Sequence, residues 1–372
     1  MAAASETIQT IARLTPLAEV LALIDWEVKP VAPDRISLRH ARHATLAADV
    51  VAQMRPAAPL ALIDGWALNA ELTRDAGGYA PAPLPQLPEL IEAGRPMPAG
   101  TDSVAPFDTV KVTHGRAEAL AMVNAGDGVL PAGGDCDASM PMRRAGERLR
   151  AVDLAALAGA GVTEVSARKP RLRIVPVRTD TIIGNAARLI ATDAALCGGA
   201  LEEANGALSE AFSDESTDAI VVIGGTGSGR NDASVQTLAR ADRLVVHGVA
   251  LTPGETAAFG FVGARPVLLL PGRLDAALAV WLVVGRRMLD RLAAANVAVH
   301  EPADIMTLAR KVTSTVGLAE LVPVRRKGDK AEPLATRYLP LSALARSDGW
   351  ILVPADSEGY SAGAPVQVRP WP

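Results

Sequence analysis

The chain is poor in aromatic and sulfur-bearing side chains. Phenylalanine, tryptophan and tyrosine make up only 3% of its 372 residues, so we expect no aromatic platform on which nucleic-acid bases could stack. The two cysteines, Cys136 and Cys197, lie far apart and form no Cys-x-x-Cys pair, which indicates neither a disulfide framework nor a zinc site. The formal net charge is only -4, so bulk electrostatics will not draw the protein to nucleic acid or to an anionic membrane.

Signals for export and for membrane insertion are also missing. The chain begins MAAASETIQT without a basic segment, and no run approaches the roughly 18 apolar residues of a membrane span. We therefore expect a cytoplasmic protein. What the chain does have is apolar material, because 49% of its residues are hydrophobic and 21% are charged. That composition excludes a disordered chain, and the length favours two or three domains.

Two stretches, residues 1–52 and 147–168, predict a helical linker region. The spacing of apolar residues predicts an amphipathic helix over residues 5–26 and a second helix over residues 37–46. A third helix is predicted to begin after residue 150 and to end near Gly159–Gly161.

Residues 53–146 are dense in proline and glycine, with short apolar runs between the turns, which is typical of a small β-rich domain. The proline-rich stretch 80–88 could be a linker. Ordinary mixed sequence resumes on both sides of it, which favours a loop inside this domain. Residues 299–372 predict a C-terminal β domain, with alternating runs at 320–326, 350–353 and 365–369.

Between residues 169 and 298, strand and helix patterns alternate. Strands are predicted at RLRIVPV, AIVVI, RLVVHGV and PVLLL, and helices at 186–197, 201–212, from about 232, and at 275–292. A strand without a polar position, such as AIVVI at 219–223, is typical of a parallel sheet that is covered on both faces. The pattern therefore predicts a multidomain α/β protein with a doubly wound α/β domain at its centre.

A glycine-rich turn, GGTGSG at 224–229, follows the AIVVI strand directly. Glycine permits positive φ and lets a ligand come close to the backbone, and N–H groups at the start of the next helix can bind an anion. The alternative is a tight turn without a ligand. The pattern is neither a Walker loop nor Gly-x-Gly-x-x-Gly, so neither a P-loop nucleotide hydrolase nor a nicotinamide enzyme is indicated.

Several polar residues near turns are further candidates. Asp232 could hold a magnesium ion that bridges phosphates, or only favour the helix dipole. Arg273, after the second of two Pro-Gly turns, suits phosphate or molybdate, and is otherwise a surface arginine. Asp64, Asp102 and Asp108 could cluster as oxygen ligands for a cation, although Asp64 precedes a glycine and also fits a simple turn.

Seven motifs, in order along nearly the whole chain, resemble those of the molybdenum insertases, the molybdopterin molybdenumtransferases that include the gephyrin E domain. They are HARHATLAADVVA, LIDGWAL, GRPMPAGTDSV, AGGDCDASMPMRRAGERL, GGTGSGRND, HGVALTPGETAAFG with LLLPGR, and DGWILVPADSEGYSAGAPVQV.

The resemblance implies an elongated homodimer with a linker region, an inserted β domain, a molybdopterin-binding α/β domain and a C-terminal β domain. It also implies a reaction, in which adenylylated molybdopterin and molybdate give molybdenum cofactor and AMP with the help of Mg²⁺. Molybdoenzymes would be the clients. Catalysis of this kind depends on positioning and charge stabilisation, not on a protein nucleophile.

By match to the family, Asp64 and Asp232 would be the functional carboxylates, and Asp64, Asp108 and Asp232 the candidate metal ligands. The residues predicted to bind substrate are Gly224, Gly225, Thr226, Ser228, Gly229, Arg230, Pro253, Gly254, Pro271, Gly272 and Arg273.

The chain departs from the family pattern at several of its turns. The Ser-Thr-Gly-Asp-Glu turn is here Val177-Arg178-Thr179-Asp180, and the α/β domain is shortened near 198–203. Ala93 replaces a threonine, Glu255 replaces the lysine of Pro-Gly-Lys-Pro, and Arg273-Leu274 replaces Asn-Pro. New arginines at 178, 230 and 273 lie in or near these turns and could compensate for these changes.

Three hypotheses about function follow. The first is an active insertase. The second is a paralogue that binds molybdopterin or finished cofactor without catalysis, and Glu255 is the residue that most favours it. The third, an unrelated small-molecule enzyme, would need a nucleophile or nicotinamide motif that the sequence does not contain.

Overall fold

A computed structural model describes residues 10–178, 180–202, 208–229, 232–296 and 303–372. The chain divides into two compact units. The first comprises Met1–Ala48, Ala145–Ala151 and Glu164–Pro372, and the second comprises Asp49–Arg144 and Val152–Thr163.

The first unit contains a six-stranded sheet. Its strands, in spatial order, are Ala200–Glu202, Arg171–Pro176, Ala219–Ile223, Arg265–Leu270, Ala258–Val262 and Arg243–His247. The first four are parallel, and the last two join antiparallel. After Arg171–Pro176 the chain forms one neighbouring strand and then crosses to the other side. Strand order therefore reverses between Arg171–Pro176 and Ala219–Ile223, which places a crevice beyond their carboxyl ends.

Both faces of this sheet are covered, as the apolar run at 219–223 predicts. Ala219, Val221 and Ile223 pack into one core, while Ile220 and Val222 pack into the core on the other face, because successive side chains of a strand point to opposite sides. The covering helices are Thr181–Leu196, Leu208–Ser213, Ser234–Ala241, Leu274–Val280 and Arg286–Ala293.

The last two of these helices form one continuous rod through a π-helical segment, Trp281–Gly285. Gly285 makes room for the buried Trp281 ring, since a Cβ at 285 would lie 2.3 Å from the ring atom Cε3. The long helix predicted over 275–292 is thus confirmed. The helix predicted over 201–212 is partly wrong, because Ala200–Glu202 is a strand; Leu208–Ser213 is helical, and residues 203–207 lie outside the described part.

The N-terminal part of this unit holds the helix Leu17–Glu27 and a small sheet of Asp34–Ser37, Glu164–Arg168 and Thr45–Leu46. Residues 10–16 are not helical, so the helix predicted over 5–26 is shorter than expected, and residues 5–9 lie outside the described part. The helix predicted over 37–46 is wrong. Only a single 3-10 turn forms at Leu38–His40, and His43 has a φ of 64°, which ends any helix.

The C-terminal strands close into a five-stranded barrel, as each pairs with two neighbours around the ring. They are Ala319–Lys327, Lys330–Pro333, Asp304–Leu308, Pro365–Pro370 and Gly349–Val353. The strands predicted at 320–326, 350–353 and 365–369 are confirmed, and one short helix, Leu341–Arg346, is added. Strand Val249–Thr252 pairs with Ala319–Lys327 on one side and with Thr15–Pro16 on the other.

The second unit is built of short strands, as its proline and glycine content predicts. Its three sheets are Ala82–Leu84 with Arg116–Ala119 and Val110–Thr113, Glu89–Ile91 with Gly65–Leu68 and Ser103–Ala105, and Val129–Leu130 with Leu60–Ala61. The strand at 82–84 confirms that the proline-rich stretch lies within this β-rich unit. The helix Ala151–Gly159 ends where its glycines predict. In the described ranges, no helix is long and apolar enough to cross a membrane.

Candidate functional site

A cleft of about 640 Å³ opens at the point where strand order reverses. Three turns enclose it, and each follows a parallel strand of the six-stranded sheet. Arg178 and Asp180 follow Arg171–Pro176, the glycine turn at 224–227 follows Ala219–Ile223, and the turn at 271–273 follows Arg265–Leu270. Because the carboxyl ends of parallel strands meet at one edge, residues distant in sequence converge here.

Glycines leave the floor of the cleft without side chains. Gly224 and Gly225 have φ values of 101° and 72°, a region that L-residues with side chains rarely adopt. The Gly224 N–H donates to the Leu270 carbonyl at 2.9 Å, and the Ser234 hydroxyl donates to the Gly224 carbonyl at 2.9 Å. These bonds fix the glycine turn against the neighbouring strand and the next helix, so backbone faces the cleft directly.

Asp232 lies beside the glycine turn, and each of its two carboxylate oxygens has a partner. One carboxylate oxygen accepts the Gly229 N–H at 3.0 Å, and the other lies 3.6 Å from an Arg178 guanidinium nitrogen. The first oxygen is also close to Gly227, where a Cβ would lie only 2.7 Å away. The loop therefore needs glycine at 227 to accommodate this carboxylate.

Two arginines line the described part of the cleft, and they differ in how they are held. Arg178 is half exposed and faces Asp232. Arg273 donates two hydrogen bonds to the buried Asp275 and stacks on the Tyr338 ring at 4.8 Å. The hydrogen bonds that Arg273 donates to Asp275 raise the pKa of Arg273, and the charge of Glu255 adds a smaller contribution. Arg273 is therefore a fixed cation at this cleft.

Hydroxyl and aliphatic groups form the remaining wall. The Thr226 and Thr256 hydroxyls hydrogen-bond each other at 2.9 Å, and Thr181, Ile182 and Ile183 come from the first turn of a helix that Asp180 caps. These side chains give the cleft hydrogen-bonding groups beside an apolar surface, as small-molecule sites commonly have.

The structure brings most of the predicted substrate-binding residues together. Those that line the cleft are Gly224, Gly225, Thr226, Pro271, Gly272 and Arg273, joined by Asp232. Ser228 and Gly229 lie on the exposed part of the loop, and the Gly229 N–H is bound by Asp232. Arg230 lies outside the described residues.

Two predicted residues are buried and do not line the cleft. Pro253 and Gly254 are buried, and a Cβ on Gly254 would lie 2.5 Å from a methyl of Val280. Glu255 turns its carboxylate back to accept the Gly254 N–H at 3.0 Å. Contact of this turn with substrate stays a prediction.

The proposed carboxylate cluster in the second unit does not form. Asp64 accepts the Ala93 N–H at 2.7 Å, and Asp102 accepts the Ala70 N–H at 2.8 Å, while Asp108 is in a 3-10 turn, Phe107–Thr109. Among the residues that the structure describes, no group of three or more His, Cys, Asp or Glu side chains could hold a metal ion. Asp64 does line a cavity of about 610 Å³, together with Glu89, Glu92 and Arg95.

Sequence reasoning missed several residues of the cleft, chiefly Thr256, Thr181, Ile182 and Gly227. Gly227 had a signal, because the molybdenum insertase loop that GGTGSGRND resembles reads Gly-Gly-x-Ser-x-Gly, which places the serine at position 227, where this chain has glycine. Ser228 is therefore offset by one position from the family serine. No sequence feature marked Thr256 as a cleft residue. It precedes an antiparallel strand, and only the folded arrangement of the chain brings it to the cleft.

The α/β domain has a ligand-sized cleft at the point where strand order reverses. The same chain also contains a β barrel and a β-rich unit. Together these features define a multidomain small-molecule-binding protein. Three family models match successive parts of this chain. They are the MoeA N-terminal region (domain I and II) over residues 15–161, the "Probable molybdopterin binding domain" over residues 191–291, and the MoeA C-terminal region (domain IV) over residues 306–371. The chain belongs to the MoeA family of molybdenum cofactor biosynthesis proteins, which confirms the resemblance seen in its motifs.

Individual relatives agree with this assignment. A Methanocaldococcus jannaschii protein, named as a molybdopterin biosynthesis protein, is 31% identical over 153 residues, which are 41% of this chain and 36% of that protein. This chain thus matches only about a third of the curated relative. Two solved structures of a molybdopterin biosynthesis MoeA protein from Pyrococcus horikoshii are 21% and 20% identical, and the matches cover 97% and 96% of this chain and 100% of theirs. Their TM-scores of 0.73 and 0.74 show a shared fold.

Proposed function

We propose that this protein inserts molybdate into adenylylated molybdopterin, which yields molybdenum cofactor and releases AMP. The single observation that carries the proposal is the convergence of the turns at Gly224 and Pro271 on one cleft of about 640 Å³, a size suited to a small-molecule ligand. Both turns fall within the residues that the molybdopterin-binding model matches.

The chemistry of the lining suits a phosphorylated substrate and an oxyanion. Backbone at Gly224 and Gly272 can approach a ligand closely, and Arg178 and Arg273 add positive charge on the lining. Insertion of molybdate needs no protein nucleophile, so holding both substrates and stabilising developing charge would supply the rate enhancement. In this proposal Asp232 acts beside the phosphates, and Asp64 is a second functional carboxylate.

The divalent cation implied by the family does not fit a preformed site here. Mg²⁺ is usually held by one or two carboxylates together with substrate phosphates. Asp232 is the carboxylate in the expected place, but one of its oxygens accepts the Gly229 N–H and the other faces the Arg178 cation at 3.6 Å. We therefore assign no step of the reaction to Mg²⁺.

A second candidate function is a molybdopterin- or cofactor-binding protein without catalysis, acting as a carrier, scaffold or regulator. It is favoured by Glu255, which stands where the family pattern has lysine and lies near enough to Arg273 to raise the pKa of that guanidinium. An anion at this position weakens the attraction for molybdate while leaving the pterin cleft in place.

One assay separates the two functions. Purified protein is incubated with adenylylated molybdopterin, molybdate and Mg²⁺, and AMP release and cofactor formation are followed. Insertase activity predicts that wild type forms both products. Asp232→Asn should be folded but inactive. The control variant Asp329→Asn, in an exposed turn, should be as active as wild type. Tight pterin binding without AMP release would establish the carrier function instead. From the family we also expect a cytoplasmic homodimer that serves molybdoenzyme clients.

A further inference from the structure

We propose that Arg178 takes the place of a divalent cation beside Asp232, so that this cleft binds a phosphoryl group without a metal ion. The inference rests on the proposed function, because it concerns the phosphate of the same ligand. It makes Arg178 a specificity-determining residue of this particular chain.

The position of the guanidinium is the first argument. An Arg178 nitrogen lies 3.6 Å from one Asp232 oxygen, and the second oxygen accepts the Gly229 N–H at 3.0 Å. A magnesium ion bound to Asp232 would have to approach one of these oxygens to about 2.1 Å. It would then lie close to the Arg178 cation, which repels it, or share an oxygen with the Gly229 N–H.

The chemistry of the guanidinium is the second argument. Arginine carries five N–H donors in a rigid fork and stays protonated at any physiological pH. It can donate to a carboxylate with one edge and to a phosphate with another, and both are charge-assisted hydrogen bonds. Arg178 can therefore join Asp232 to a phosphoryl group, which is the bridging that a magnesium ion performs in other phosphate sites.

The surroundings of Arg178 are the third argument. Of the two arginines that line the described part of the cleft, Arg273 is committed to Asp275 and Tyr338. Arg178 is half exposed and holds Asp232 through a longer contact, so it can turn toward a ligand at little cost. The family turn at this position, Ser-Thr-Gly-Asp-Glu, has two acidic residues, whereas the turn here has Arg178 beside the single acid Asp180, so the gain of the arginine and the loss of the glutamate make the turn less acidic.

Binding of inorganic pyrophosphate to the full-length protein, measured by calorimetry in EDTA and in excess Mg²⁺, tests the proposal. Wild type should bind equally well in both buffers. Arg178→Gln should lose about tenfold or more in affinity in EDTA, as expected for a charge-assisted hydrogen bond, and should recover in Mg²⁺. Arg188→Gln, an exposed arginine on the helix that follows, is the matched control and should behave like wild type.

A second readout follows metal directly. Electron paramagnetic resonance of Mn²⁺ should show tighter metal binding by Arg178→Gln than by wild type, because the substitution exposes the Asp232 carboxylate. Wild-type binding of pyrophosphate that requires Mg²⁺, with Arg178→Gln unchanged, would overturn this inference and leave the proposed function intact. Failure of wild type to bind pyrophosphate in either buffer would remove the phosphate site and the proposed function together.

Discussion

Gly224 and Gly272 lie side by side at the floor of the cleft, so that a Cβ atom on Gly272 would be 3.5 Å from the Cα of Gly224. The two glycines follow neighbouring parallel strands, in which Ile223 is paired with Leu270. Strand pairing thus sets the distance between the two turns. The pair leaves backbone, without side chains, at this part of the lining.

Gly272→Ala should reduce ligand binding without disturbing the fold. The new methyl group would make ordinary contacts at 3.5 Å with Gly224 and Ile183, and the backbone at 272 is not in the left-handed region. We expect an unchanged thermal midpoint and weaker pyrophosphate binding by calorimetry. Wild-type affinity in this variant would mean that the ligand does not reach the floor.

Gly224→Ala should behave differently and destabilise the protein. A Cβ at 224 would lie 2.6 Å from a Val177 methyl, and the φ of 101° is strained for alanine. We expect a loss of about 1–3 kcal/mol, measured by urea unfolding. Gly263→Ala is the matched control, since Gly263 also has positive φ (60°) but nothing within 4 Å of its Cβ position. Equal losses in the two variants would show that strain alone, not the clash, sets the cost.

His247 should make the protein less stable in mild acid. Burial lowers the pKa of His247 from its ordinary value of 6.5, and a hydrogen bond with the Thr226 backbone opposes this only in part. The unfolded chain therefore takes up the proton more readily, so the stability contribution is full above pH 6.5 and is lost as the pH falls through the folded-state pKa.

We expect the thermal midpoint of wild type to drop between about pH 7 and pH 5, and His247→Gln to drop less. His40→Gln, at an exposed histidine, is the control and should follow wild type. An identical acid response in His247→Gln and wild type would contradict the predicted titration.

Cys197 should resist alkylation although it is only partly buried. Burial, reinforced by Asp193, raises the pKa of the Cys197 thiol to about 11, and the thiolate is the reactive form. At about pH 8, roughly one thiol in a thousand would be ionised. Mass spectrometry after iodoacetamide treatment of the native protein should place the label on Cys136, and Cys136→Ser should remain nearly unlabelled. Rapid labelling of Cys136→Ser would show an accessible thiolate at Cys197.

The parts of the fold that sequence predicts are those set by local pattern. The strand at 219–223 is apolar at every position because both of its faces are buried, and that requirement is visible in the sequence. The helix predicted over 37–46 failed for a non-local reason. Thr45–Leu46 pairs with residues 167–168, more than a hundred positions away, and this pairing overrides helix propensity.

The same distinction holds for the candidate site. The turns at Gly224 and Pro271 could be expected to meet because both follow parallel strands. The sequence pattern could not show whether Asp64, Asp102 and Asp108 form a cluster. In the fold, Asp64 and Asp102 instead accept hydrogen bonds from backbone N–H groups of other segments. Whether a carboxylate is available to a ligand depends on such neighbours, which only the folded chain reveals.

Asp193 should be among the least replaceable residues of the α/β domain. Its carboxylate is 2% exposed and accepts the Trp281 indole N–H at 2.6 Å and two hydrogen bonds from Arg286 at 2.8 and 2.6 Å. Asp193→Ala would leave a guanidinium buried without its carboxylate, which costs about 3–5 kcal/mol in comparable pairs. Tryptophan fluorescence during urea unfolding measures this loss, since Trp281 is itself a partner.

The control for Asp193 is an exposed ion pair in the same unit. Arg35 and Glu164 lie 3.5 Å apart with side chains 85% and 50% exposed, and water and salt screen such pairs strongly. Glu164→Gln should therefore leave the unfolding midpoint almost unchanged. A large loss in Glu164→Gln, or a small one in Asp193→Ala, would contradict the expectation that the buried, fully hydrogen-bonded carboxylate contributes more than the exposed one.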